Sequence, residues 1–129
     1  MPRPTSPRQL LADGYRDTLP GKAYFIVPDA RTLEQVETRT LQVSQAGFRP
    51  HPTSPLTHII IRFTVRVISA HTDFGKAEDE LTDAVSDVCF ATEQMPGATW
   101  IDADKIIHQN RYLAYDVTVE VSAKKKGTS

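Results

Sequence analysis

Twelve residues, Thr57 to Ile68, restrict this chain more than any other stretch. Ile59, Ile61, Phe63, Val65 and Val67 occupy every second position, with His58, Ile60, Arg62, Thr64, Arg66 and Ile68 between them. A period of two puts the first set on one face of a β-strand and the second on the other. The first face is a core face. The second is mixed, so Arg62 and Arg66 are expected at solvent or against another subunit. After a turn at Ala70 to Thr72 the period changes. Asp73 is placed to cap a helix in which Phe74, Ala77, Leu81, Ala84, Val85 and Val88 form an apolar stripe at spacings of three and four. Lys76, Asp79, Glu80, Asp83 and Asp87 fall on the opposite side, and Asp73 with Glu78, Asp79 and Glu80 is expected to bring negative charge to the first turns, where the helix dipole favours it. A half-apolar strand followed by a half-apolar helix predicts an α+β fold, with one main helix, 73–92, packed on a mixed or antiparallel sheet of four to five strands.

The flanking segments supply the rest. Ser6-Pro7-Arg8-Gln9 reads as a capping box opening a short helix over 7–18, with Leu10, Leu11 and Tyr15 as its apolar side and Pro20-Gly21 as its end. Gly14 weakens its middle, so it is a docking helix. Ala23 to Val27 is a continuous apolar run, expected as a strand buried on both faces. Between 29 and 55 the pattern loosens. A strand at Thr38 to Val43 is followed by Gly47, Pro50, Pro52 and Pro55, and the segment is expected to be a long loop or hairpin used as an interface. Met95-Pro96-Gly97 breaks the chain again before strands at Ala98 to Ile107 and Tyr112 to Ser122. In the second of these Leu113, Tyr115, Val117, Val119 and Val121 alternate with residues that include Asp116 and Glu120, so a slip of one residue would bury carboxylates. The ends, 1–5 and 123–129, are expected to be mobile around a single domain spanning 1–129.

Composition narrows the function classes. A chain of 129 residues can bury a core of its own, and its one cysteine leaves no internal disulfide, as expected of assembly in a reducing cytoplasm. No apolar stretch follows the proline-rich start or reaches the length of a membrane span, so neither a secretory leader nor a membrane partner is expected. A net charge of -1 offers no overall attraction to nucleic acid. Residues able to do chemistry are sparse. Cys89 lies beside Val88 and Phe90, where an inert thiol is the plainer role than a nucleophile. His51, His58, His71 and His108 lack zinc-ligand spacing. Asp102, Asp104 and His108 would suit a divalent cation or a small metal-dependent hydrolase, but carboxylates paired on an edge strand are also common protection against sheet-to-sheet association. Lys124, Lys125 and Lys126 have no aromatics interleaved for nucleic-acid stacking, and Trp100 after the Pro96-Gly97 turn reads as a core or interface anchor. The expectation is no catalytic residue, no metal site and no cofactor.

The order helix, Tyr24-Phe25-Ile26-Val27-Pro28, long strand, Thr72-Asp73 with Lys76-Ala77-Glu78-Asp79-Glu80-Leu81, Pro96-Gly97, Trp100 and Leu113-Ala114-Tyr115-Asp116-Val117 resembles tail-terminator proteins of long-tailed bacteriophages. The likeness spans most of the chain. It is nearest to the actinobacteriophage type and more distant from the lambda minor tail protein U family. The resemblance implies a non-enzymatic virion protein, assembled in the host cytoplasm and placed at the head-proximal end of the tail. There it would close into a homohexameric ring, cap the tail-tube protein, stop polymerisation and offer a surface for head-tail joining. A head-completion or neck connector protein is the alternative from the same assembly line.

A ring subunit needs two different patches that meet head to tail. Candidates for subunit or tube contact are Arg31, Leu33, Val36, Arg39, Phe48, Arg49, Arg62 and Arg66, because arginine and aromatic residues favour interfaces. Asp79, Glu80, Asp83 and Asp87 are candidates for an acidic face that meets a neighbour's arginines. The same face would suit a lumen through which genome DNA passes without specific binding, since like charge repels phosphate.

Overall fold

The alternating run becomes the middle strand of a five-stranded sheet. The computed structural model describes residues 6–19, 24–27 and 38–124. In chain order these form α1 (Pro7–Thr18), β1 (Phe25–Val27), β2 (Thr40–Pro50), β3 (His58–Ile68), α2 (Phe74–Gln94), β4 (Ala98–His108) and β5 (Tyr112–Lys124). The spatial order is β1-β2-β3-β5-β4, with β1 parallel to β2 and every other pair antiparallel. The architecture is therefore α+β with a mixed sheet, as the change of period implies.

Register decides which residues share a face. Phe63 lies opposite Val119, Val65 opposite Val117 and Val43, and Val67 opposite Leu41. All seven are buried, and they receive Ala77, Leu81, Ala84, Val88 and Ala91 of α2 in one core cluster. Complete burial of one such aliphatic side chain stabilises by about 1.5–3 kcal/mol. Small alanines on α2 let the helix backbone approach the sheet closely. Asp73 caps α2 as its position predicts, its carboxylate accepting from the Lys76 amide at 3.1 Å. Because the helix begins at Phe74, Glu78, Asp79 and Glu80 fall after the first turn, which contains no acidic residue. The dipole contribution expected for them is correspondingly weakened. Phe74 itself is half exposed and does not join the buried stripe.

α1 docks beside α2. Leu11, Ala12 and Tyr15 are buried, and the Tyr15 hydroxyl shares a 2.7 Å hydrogen bond with Thr92 Oγ1. Gly14 serves this packing, since a Cβ there would lie 2.4 Å from the Met95 sulfur. Ser6 caps the helix through its hydroxyl, but Gln9 turns its amide to Asp13 at 2.9 Å, so the reciprocal half of the expected capping box does not form.

Other boundaries shift for identifiable reasons. β2 continues through Gly47 to Pro50, because a bulge between Gln45 and Gly47 absorbs the irregularity and β3 supplies partners along its length. The expected loop over 29–55 thus contains an eleven-residue strand, while 28–37 lie outside the described residues. β1 is an edge strand with Phe25 half exposed, so it is not buried on both faces. β5 pairs Lys124 with His58, which places 123 and 124 in the sheet and leaves 125–129 outside the described residues. Gly97 holds φ +78 in the turn after α2, with its carbonyl accepting from Ser122 at 2.9 Å. That conformation suits glycine.

Leu81→Ala removes a fully buried side chain from this core and is expected to lower unfolding free energy by about 2–5 kcal/mol in urea titration, whereas Asp83→Lys on the exposed side stays within about 0.5 kcal/mol.

Candidate functional site

The face of the sheet away from the helices carries a ladder of charge. Arg62 lies opposite Glu120, and Arg66 opposite Asp116. The Glu120 carboxylate accepts from Arg62 at 3.2 Å and from Arg49 of β2 through two bonds of 2.7 and 2.9 Å. Asp116 accepts from Arg66 through two bonds of 2.7 and 3.1 Å. Such fork-on-carboxylate pairs hold long side chains in one geometry. The sequence carries a signal for the pairing, because Arg62 and Arg66 are four apart and so are Asp116 and Glu120, the match an antiparallel register requires. The hydrogen-bond partners of Arg49, Arg62 and Arg66 are therefore inside the chain and none is an acidic group of α2, although Arg49 and Arg62 share the single charge of Glu120.

His108 ends this ladder. Its side chain is buried, Nδ1 lies 3.3 Å from Arg66 Nη1, and Nε2 has no hydrogen-bond partner. A guanidinium has no acceptor, so Nδ1 must accept and the ring proton sits on Nε2. Burial first, and then the charge of Arg66, hold His108 below the ordinary imidazole range. Glu120 is held below the ordinary carboxylate range, chiefly by its bonds from Arg49 and then from Arg62.

The acidic candidates of α2 divide. Glu80 is enclosed by three groups: it accepts from Ser69 Oγ at 2.6 Å, meets Arg39 at 3.5 Å and lies 3.7 Å from His71. Arg39 in turn lies 5.0 Å above the Tyr24 ring, whose hydroxyl donates to Asp87 at 3.2 Å. Burial pushes the Tyr24 phenol up to about 12. Arg39, Glu80 and Asp87 thus bind β1, β2 and α2 together. Asp79 and Asp83 remain exposed, without an ion pair to any described residue. Of the candidate contact residues, Phe48 is 62% exposed, and Arg31, Leu33 and Val36 lie outside the described residues.

Asp102 and Asp104 stand on the ladder face of β4, the edge strand, opposite Thr118 and Asp116. No group of three potential metal ligands occurs among the described residues. Cys89 is half-buried, and burial followed by the charge of Glu93 pushes its thiol up, away from thiolate chemistry. Among the described residues, no helix is long and apolar enough to cross a membrane.

Two surfaces escape reasoning from periodicity. The first is the outer edge of β4, where Trp100, Ile101 and Ile107 are 37–49% exposed. Trp100 donates to Glu93 at 2.9 Å, and Ile101 is the extra residue of a bulge. The second is the tip of the β2–β3 hairpin. Phe48, Arg49, Pro50, Pro55 and Ile59 line an open cleft of about 420 Å³, with Leu56 87% exposed beside it. The hydrophobic residues at both places were legible, but their exposure depends on which strands end up at the rim.

Among known proteins, no family model and no curated sequence matches the chain. The geometry predicts a two-step pH response. For His108, folded affinity for a proton is reduced, so stability is full above the ordinary imidazole value of 6.5 and declines as pH falls through it. For Glu120, whose folded value is depressed below 4.5, stability is present above that value and is lost as pH falls further. Urea midpoints measured from pH 8 to 3 should show both declines. His108→Gln should remove the upper one, and Glu120→Gln should flatten the lower one.

Proposed function

We propose that this protein is an assembly subunit of a long-tailed bacteriophage, a tail terminator that caps the tail tube as a homomeric ring and presents a surface for head-tail joining. The observation that carries this reading is the eleven-residue edge strand β4, paired on its outer side with no described residue and bearing Trp100, Ile101 and Ile107 in exposed positions. Open edges with large apolar side chains are associating surfaces, which monomers ordinarily blunt. The order of elements agrees with the family resemblance stated from the sequence. The ladder's arginine–carboxylate bonds tie β2 and β3 to β5, a base on which contact surfaces can be mounted. In a ring, Asp79 and Asp83 on the outer side of α2 would repel DNA phosphates if they face the lumen, and the genome would pass without adhering.

The test is tube length. Purified protein added to polymerising tail-tube subunits should yield shorter tubes, each bearing the added chain at one end in electron micrographs. Tubes of unchanged length without the chain would sink the proposal. Asp83→Lys, at an exposed position, should preserve fold and capping while slowing DNA passage in reconstituted particles; unaltered ejection would remove Asp83 from the lumen.

A further inference from the structure

We infer that the hairpin tip of one copy docks on the β4 edge of the next, and that this is the head-to-tail seam between subunits. The inference deepens the ring proposal and rests on it, by naming the two patches such a ring requires. Each patch has exposed apolar side chains: Phe48 and Leu56 at the tip, Trp100 and Ile101 on the edge. Their unmatched charges have opposite sign. At the tip, the single carboxylate of Glu120 is shared by Arg49 and Arg62, which leaves one positive charge over, and Lys124 is exposed at the same end, paired in register with His58. On the edge, Asp102 and Asp104 are exposed and form no salt bridge to any described residue.

The two sets cannot neutralise each other within one chain. Arg49 on β2 and Arg62 on β3 are three and two strand spacings from β4, roughly 10–14 Å, and Lys124, on the adjacent β5, lies six residues along that strand from Thr118, the partner of Asp102, roughly 20 Å; all exceed a screening length of about 8 Å at physiological salt. A second copy removes that separation. It sets the cationic, apolar tip against the anionic, apolar edge, with the hydrophobic contacts supplying affinity and the charges supplying orientation. The carboxylates also disfavour the competing arrangement. Antiparallel pairing of β4 with another β4 centred near Ala103 would bring Asp102 and Asp104 of both copies onto one face, where like charges oppose one another. Because the two patches differ, the contact is heterologous and propagates around a ring.

The experiment uses two full-length variants. Asp102→Lys with Asp104→Lys disables the edge, and Phe48→Asp with Leu56→Asp disables the tip. All four positions are exposed, and circular dichroism with thermal melting checks that each variant keeps the wild-type fold. In sedimentation velocity at rising concentration, the wild type should self-associate, more weakly in 500 mM than in 50 mM salt, and each variant alone should associate at least tenfold more weakly. Mixed together, the variants should form a one-to-one heterodimer and nothing larger, since one good tip and one good edge remain. A variant that assembles like the wild type would overturn the seam, as would a mixture no more associated than its parts. A wild type that stays monomeric at millimolar concentration, or binds only tail-tube subunits, would also overturn it. None of these results touches the capping proposal, which depends on tube length alone.

Discussion

Everything in this molecule follows from the contact between α2 and the core face of β3 and β5. Ala77, Leu81, Ala84 and Val88 meet Phe63, Val65, Val117 and Val119 in a layer from which water is excluded. A sheet with one face so covered has its register strongly specified, because a slip of one residue would bring Arg62, Arg66, Asp116 and Glu120 into the core. The polar face is therefore not a free variable. It is the other side of the same constraint, and its charges must be satisfied among themselves.

The ladder of Arg49, Arg62, Glu120, Arg66 and Asp116 is how they are satisfied. Exposed ion pairs add little stability singly. Here their consequence is positional: arginine–carboxylate pairs tie β2 and β3 to β5 on the face that neither α1 nor α2 covers. His108 is drawn into the ladder as an acceptor, which makes a buried imidazole part of the sheet's acid sensitivity. On the opposite face, Arg39, Tyr24, Glu80 and Asp87 do comparable work, joining the outer strands to the helix. Residues that look like interface groups when read singly are thus consumed in holding the monomer. What is left for a partner lies at the rim: the β4 edge, the hairpin tip, and Asp79 with Asp83.

The main helix, the long strand, the strand pair after Pro96-Gly97 and the docking helix are all legible in the chain. Each is a local pattern of period or capping that needs no distant partner to be recognised. Errors gather where a partner decides. β2 passes Gly47 because β3 runs beside it and a bulge accommodates the extra residue. Gln9 donates to Asp13 one turn further on, which draws its side chain away from the Ser6 amide. Phe74 lies at the first position of α2, with too little structure above it to be covered.

The sequence by itself determined the α+β class, the core faces of β3, β5 and α2, and the matched four-residue spacing of Arg62 with Arg66 and Asp116 with Glu120. Those properties are set by the chemistry and periodicity of neighbouring residues. Tertiary structure alone decided that β5 lies between β3 and β4, and hence that the arginines find carboxylate partners on β5 while Asp102 and Asp104 find no cation. It also placed Trp100 and Ile101 on an open rim. Strand order is a non-local choice, made by which faces α2 and α1 can cover together, and no single segment carries that information.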